Sequence, residues 1–134
     1  MSKVLVIEDD PLLSRMYQII FSSNGYEVSV ASDGEDGLDK IRSQRPDLVL
    51  LDIMMPKLNG MEVLRKIKSD PEVRNIPVVV LTNLAGNTDV QAALELGAVR
   101  YIIKSENKPK QVEEIVRGIL AGYTRGDIPG VPAD

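Results

Sequence analysis

The sequence contains neither cysteine nor histidine. Without thiols there are no disulfides, no thiolate metal sites and no sulfur nucleophile. Without imidazole, the commonest general base and the usual ligand of transition metals are also gone. Long apolar runs are missing too: the longest are about four residues, where a membrane-crossing helix needs roughly 20. The amino-terminal stretch reaches Glu8 after one short apolar segment, too soon for a secretory leader, so a cytoplasmic chain with no membrane insertion is expected. Nor is there an excess of positive charge. The net charge of −4 argues against a broad electrostatic grip on nucleic acid or an anionic membrane surface. Chemistry is left to oxygen ligands, lysine and hydroxyls.

What is present fits one domain. A chain of 134 residues, 43% of them hydrophobic, can build one core but not two. Leu48-Val49-Leu50-Leu51 are apolar without alternation, as in a strand buried on both faces of a parallel sheet, and the run ends on Asp52. Val4 to Ile7 repeat the pattern and end on Glu8-Asp9-Asp10. Asp10-Pro11 reads as an N-cap with proline at the first helical position, and Leu13, Met16, Tyr17 and Ile20 then recur at helical spacing until Asn24-Gly25. Tyr26, Val28 and Val30 alternate with Glu27 and Ser29, which predicts a strand wet on one side at a sheet edge. A short helix with Leu38 and Ile41 inward ends before Pro46.

Past Asp52, Lys57 to Lys68 carry Met61, Leu64 and Ile67 at helical intervals. Ile76 to Leu81 form another buried strand ending in Thr82. A helix with Val90, Ala93 and Leu94, capped by Asn87 or Thr88, stops at Gly97. Val99 to Ile103 form the last strand, ending in Lys104. Pro109 opens the last helix, whose stripe of Val112, Ile115, Val116 and Ile119 is closed by Gly122. Residues 1–122 are the expected domain and 123–134, with Gly126, Pro129, Gly130 and Pro132, a flexible tail. Strict alternation predicts an α/β fold, a doubly wound parallel sheet with helices on both faces joined by right-handed crossovers. An edge-like second strand and a central third match the flavodoxin-like order 2-1-3-4-5, whose ligand crevice lies between the first and third strands.

In that order Glu8, Asp9, Asp52, Thr82 and Lys104 converge at the carboxyl edge of the sheet. Like carboxylates held together either retain a proton or bind a hard cation, and an all-oxygen set selects Mg²⁺, for which Mn²⁺ can substitute. With its charge balanced, Asp52 can act as a nucleophile toward phosphorus, with Lys104 and the Thr82 hydroxyl neutralising phosphoryl oxygens. Each residue alone has a plainer reading. Asp52 can be an Asx turn, the acids at 8–10 can favour the positive end of the first helix, Thr82 can be a loop or cap hydroxyl, Lys104 a solvated lysine or a salt-bridge partner for the acids, and Tyr101 an aromatic of the last strand.

Four stretches together resemble the receiver domain of a two-component response regulator, over roughly residues 3–122 and similar to stand-alone chemotaxis-type members. They are Val6-Ile7-Glu8-Asp9-Asp10, Leu51-Asp52-Ile53-Met54-Met55-Pro56 with Gly60, Leu81-Thr82, and Tyr101-Ile102-Ile103-Lys104. The resemblance implies that Asp52 accepts a phosphoryl group from a phosphohistidine on a sensor histidine kinase or a phosphotransfer protein. It implies Mg²⁺ held by Asp9, Asp52 and the backbone carbonyl of Met54, with Glu8 acting through water. It also implies a switch made by Thr82 and Tyr101 that alters a partner-binding face over residues 85–122. As the chain has no histidine, the donor acts in trans. A monomer, or a dimer promoted by phosphorylation, is expected, with output through a protein target.

The sequence departs from the family at Ser105, where a proline after a cis peptide is usual. A cis bond before a non-proline residue costs about 3 kcal/mol, so the loop either turns in trans or carries that strain. Asn83 replaces the usual small residue beside Thr82 and is expected to narrow access. Met54 and Leu84, two residues past Asp52 and Thr82, cannot orient an attacking water, so slow hydrolysis of the phosphoryl group is expected. The alternatives are a small phosphohydrolase with an aspartyl nucleophile, a receiver-like module that acts without phosphorylation, and a flavin-binding protein of the same topology. The first usually needs a second acid where Met54 stands. The last is disfavoured because no Ser/Thr/Gly-rich phosphate loop follows the first strand.

Overall fold

A computed structural model describes residues 2–53, 55, 59–83 and 88–122, the side chains of residues 88 and 89 excepted. The expected tail at 123–134, along with Met54, Leu84 and the Asn87 cap, lies outside the described residues. Five strands alternate with helices: β1 (Lys3–Ile7), α1 (Pro11–Ser23), β2 (Glu27–Ala31), α2 (Gly34–Gln44), β3 (Leu48–Asp52), α3 (Gly60–Ser69), β4 (Val78–Thr82), α4 (Thr88–Leu96), β5 (Arg100–Ile103) and α5 (Pro109–Leu120), with a 3₁₀ turn at Lys104–Glu106. All pairings are parallel and the strand order is β2-β1-β3-β4-β5, as the alternation predicted. The third and fourth strands, apolar up to their last residues Asp52 and Thr82, are buried along their whole length.

Side chains alternate across the sheet and divide the core in two. Leu5, Ile7, Val49, Leu51, Val78 and Val80 point to the α2–α4 side. Val4, Val6, Leu48, Leu50, Val79, Leu81 and Ile102 point to the side of α1 and α5, where Tyr17, Phe21, Val112 and Val116 meet them. The strand pleat therefore decides which helix pair each site residue faces.

Helix ends follow local chemistry. The Asp10 carboxylate accepts from the Leu12 and Leu13 N–H groups at 3.0 and 3.4 Å, satisfying donors that the first turn leaves open. Gly25, at φ +90, takes the left-handed conformation that ends α1. Asn59 accepts from the Glu62 N–H and starts α3, two to three residues later than the pattern from Lys57 suggested.

One expectation fails. Met16 was read as inward, but it is 42% exposed, and the inward residues of α1 are Ser14, Tyr17 and Phe21. Leu12 (71%) and Ile19 (55%) are exposed as well. Apolar residues occupy more of the α1 circumference than one buried stripe can absorb, so periodicity alone could not say which would face inward. β2 is the edge strand, as expected, and its polar face is partly open: Glu27 is exposed and Ser29 half-buried, while α2 shields part of the strand, with Ser29 Oγ bonded to Gln44 Oε1 at 2.6 Å and Lys40 Nζ donating to the Val30 carbonyl at 2.6 Å.

Candidate functional site

At the carboxyl ends of β1, β3 and β5 the chain gathers charged groups. Glu8, Asp52 and Lys104 continue the alternation of Val6, Leu50 and Ile102, so all three belong to the α1 and α5 side. Glu8 and Asp52 are 1% and 2% exposed, whereas Asp9 is exposed. Carboxylate oxygens of Glu8, Asp9 and Asp52, one from each, lie within 4.8 Å of one another. Lys104 Nζ reaches between two of them, 2.5 Å from Glu8 Oε1 and 3.1 Å from Asp52 Oδ2. The other Glu8 oxygen accepts from the Asp10 N–H at 3.1 Å, tying the acid cluster to the start of α1.

Two buried carboxylates and the exposed Asp9 against one ammonium leave a surplus of negative charge, and the titration of Glu8 reflects its buried neighbour. Burial, joined by the negative charge of Asp52, pushes the Glu8 carboxyl up to about 7 despite the Lys104 and Asp10 hydrogen bonds that pull it down. Lys104 moves the other way relative to its burial. Desolvation favours its neutral form, but hydrogen bonds and charge from Glu8 and Asp52 outweigh it and raise the ammonium above its usual value. Tyr17 lies beneath the cluster, 1% exposed on the inward face of α1. Burial, and then the charges of Glu8 and Asp52, raise its phenol so that it stays protonated.

A cleft of about 400 Å³ opens over this group, lined by Glu8, Asp9, Asp10, Leu13, Asp52, Asn83, Lys104 and Ser105. Thr82, fully buried at the end of β4, follows the Val78 and Val80 side of the sheet and does not line the cleft. Its neighbour Asn83 is exposed and does. Tyr101 is opposite Val80 in the β4–β5 register, as Ile103 is opposite Thr82. The pleat thus puts Thr82 and Tyr101 on one face of adjacent strands, with Tyr101 37% exposed.

No cis peptide bond occurs among the described residues, so the loop after β5 turns in trans at Ser105. The turn closes through Asn107, whose side-chain N–H₂ donates to the Ile103 carbonyl at 3.1 Å. Lys104 lines the cleft with serine, not proline, after it. Sequence reasoning missed Leu13, Asp10 and Ser105 as cleft residues and Tyr17 as the group under the acids. For Asp10 and Ser105 the signal was a position next to a residue already singled out; Leu13 and Tyr17 were legible only as members of the inward stripe of the first helix.

The family model of the response regulator receiver domain matches residues 4–117. The chain belongs to the response regulator receiver family. This receiver is 40% identical over 118 residues to the DNA-binding response regulator MtrA of Mycolicibacterium smegmatis, an alignment covering 88% of this chain and 50% of MtrA. It thus spans about half the length of the curated relatives it matches. The Mn²⁺-bound form of response regulator Rcp1 superposes with TM-score 0.76 at 32% identity, covering all of this chain and 99% of that one. The phosphorylated cyanobacterial phytochrome response regulator RcpA gives TM-score 0.76 at 36% identity, covering 88% of this receiver and 90% of its own chain. Receivers bind Mg²⁺ at an acidic pocket and interact with histidine kinases, and this receiver has the acidic cluster in the expected place.

Proposed function

We propose that the receiver takes a phosphoryl group onto Asp52 from a phosphohistidine of a sensor histidine kinase or phosphotransfer protein, and that this resets a protein-binding face. The observation that carries the reading is Asp52 itself: a nearly inaccessible carboxylate at the floor of an open cleft, within one ion's reach of two other acids and bonded to a lysine. The donor set fits Mg²⁺. It consists of hard oxygens in surplus negative charge, and buried Glu8 Oε1 has no hydrogen-bond partner apart from its ion pair with Lys104. Asp9, Asp52 and the Met54 carbonyl would hold the ion, with Glu8 through water. When bound, Mg²⁺ supplies charge neutralisation at the phosphoryl oxygens and at the carboxylate.

In the transfer, a carboxylate oxygen of Asp52 forms the new O–P bond as the N–P bond of the phosphohistidine breaks, and the departing imidazole takes up a proton. Lys104 is placed to shift its ammonium from Asp52 onto the incoming phosphoryl oxygens. Thr82 would turn its hydroxyl toward them from the next strand, with Tyr101 following inward along the same face, and this change would reach the surface of residues 85–122. Asn83 at the cleft wall would restrict the approach of water. The receiver's charge of −4 gives it no broad grip on nucleic acid, so its own output is assigned to protein contacts.

With acetyl phosphate and Mg²⁺, intact mass is expected to show a single added phosphoryl group, lost only slowly. Multiple turnover on a phosphomonoester would instead support a phosphohydrolase, and a half-life of seconds would reject slow hydrolysis.

The exposed α1 stripe gives the donor a place to dock. Leu12 sits in the first turn, beside the cleft residues Asp10 and Leu13, and Met16 and Ile19 continue the stripe down the helix. A helical donor bringing its histidine over the cleft must cross this rim. Met16→Glu is expected to slow phosphotransfer from the donor protein at least tenfold and to leave labelling by acetyl phosphate unchanged. Equal slowing of both would place the effect in the site instead.

Glu8 predicts a pH dependence. Its folded value near 7 lies above the ordinary 4.5. In the metal-free chain its burial therefore costs stability that grows as pH rises from about 4.5 to 7, the folded state binding more protons across that window. For Mg²⁺ the sign reverses, because the ion needs the ionised carboxylate. Between pH 8 and pH 6 the Mg²⁺ dissociation constant should rise several-fold, whereas in Glu8→Gln it should be weaker throughout and flat. A wild-type titration that is equally flat would contradict the assignment.

A further inference from the structure

The strand carrying Asp52 and the start of α3 touch backbone to backbone, and the contact is possible only because residue 60 has no side chain. Gly60 is buried at the first position of α3. A Cβ there would fall well inside 3 Å of both the Asp52 carbonyl oxygen and the Ile53 Cα, and 3.0 Å from the Asp52 carbonyl carbon. These are main-chain atoms, which cannot rotate away as a side chain could. Gly37 offers the contrast: the atoms a Cβ would meet there belong to the Ile7 side chain.

Neither partner in the Gly60 contact is free to retreat. On one side, β3 is fixed by its neighbours, with Asp52 in register with Leu81 and the Ile53 N–H bonded to the Leu81 carbonyl at 3.2 Å. On the other, α3 is seated by Val63, Leu64 and Ile67, all fully buried, and its first turn is closed by the Asn59 cap. The chain therefore leaves the sheet after Ile53 and returns to rest on the peptide it left.

We infer that Gly60 is a positioning residue for Asp52: the close seat of α3 on the Asp52–Ile53 backbone sets where the Asp52 carboxylate stands relative to Glu8 and Asp9. This rests on the reading of Asp52 as phosphoacceptor and metal ligand. A methyl group at 60 forces the two backbones apart by about 1 Å, a displacement that costs a positioned reaction on the order of a hundredfold. It moves Asp52 rather than the acids on β1, because only the Asp52 peptide meets the new atom.

The test compares Gly60→Ala with Leu64→Ala, which opens a cavity in the same helix without approaching the strand end. Mg²⁺ affinity is read by titration, labelling by acetyl phosphate is read by intact mass, and folding is read by circular dichroism. Both variants are expected to lose thermal stability. Only Gly60→Ala should weaken Mg²⁺ by tenfold or more and slow labelling comparably, while Leu64→Ala stays within twofold of wild type in Mg²⁺ affinity. A folded Gly60→Ala with wild-type Mg²⁺ affinity, or equal weakening in both variants, overturns the inference. If Gly60→Ala does not fold, the wild-type chain is read by the Gly60 amide resonance. That resonance should shift when Mg²⁺ is added, and a Gly60 amide that stays in place overturns the inference. If wild type binds Mg²⁺ but takes no phosphoryl group, the phosphoacceptor reading fails while the Mg²⁺ titrations still decide the role of Gly60.

Discussion

Asp52→Asn takes up no phosphoryl group from acetyl phosphate and Mg²⁺ under conditions in which wild type gains one, and intact mass resolves the difference. An amide nearly matches the carboxylate in shape, so the pleat, the ladder to Leu81 and the burial of the β3 end persist. What disappears is the anionic oxygen that must form the bond to phosphorus. The variant also relieves crowding. With one fewer negative charge beside Glu8, the rise in the Glu8 carboxyl loses one of its contributors, although burial, the first of them, remains. Metal-free Asp52→Asn is accordingly expected to unfold at a temperature no lower than wild type. Labelling of Asp52→Asn to the same stoichiometry would move the phosphoacceptor elsewhere and remove the basis for the proposed function.

Lys104→Ala should separate two quantities that usually fall together. In the metal-free receiver the ammonium serves as counter-ion to Glu8 and Asp52, at 2.5 and 3.1 Å. A divalent ion competing for the same oxygens must work against that charge. Without the lysine, Mg²⁺ affinity should rise, by several-fold at low ionic strength and less in high salt. The labelling rate should fall even so. The lysine is the one cation of the chain reaching the cleft floor among the described residues, and loss of one preorganised donor to developing charge typically costs on the order of a hundredfold or more. The metal-free variant should also be less stable, because Glu8 and Asp52 would face each other without the ammonium between them. Calorimetric titration with Mg²⁺ and a time course of intact mass read the two effects separately. A parallel loss of metal binding and labelling would mean that Lys104 holds the site together rather than acting on the phosphoryl group.

Much of this was legible in the chain itself. Leu48 to Leu51 and Val78 to Leu81 are apolar without alternation because both faces of a central parallel strand are covered, and that feature alone implies helices on both sides. Asp10-Pro11 and Pro109 mark helix starts for local reasons: a carboxylate that satisfies open amides and a ring that has no amide to satisfy. Strand ends carrying acid, acid, hydroxyl and ammonium follow from the strand limits, and the strand order sets them along one edge, where Glu8, Asp52 and Lys104 meet and Thr82 turns to the other face.

Other features depended on contacts between distant segments. The side of the helix that faces solvent is settled by which residues the sheet can accept, so Met16 lies outside and Tyr17 beneath the acids. Part of β2 is shielded because α2 supplies Gln44 to the Ser29 hydroxyl and Lys40 to the Val30 carbonyl. The loop after Ile103 is closed by Asn107, four residues on, whose side chain reaches back to that carbonyl, while the peptide before Ser105 keeps the trans form ordinary for a non-proline residue.

By itself, the sequence determined the alternating parallel sheet, the exclusion of thiol and imidazole chemistry, and the set of residues at the sheet's carboxyl edge, since each of these follows from residue type and spacing along the chain. Only the tertiary structure decided the ion pairs of Lys104, the upward shift of Glu8, the exposed stripe of α1 and the contact of Gly60 with the Asp52 peptide. Burial and charge proximity depend on atoms far apart in the chain, and no local pattern encodes the distance between them.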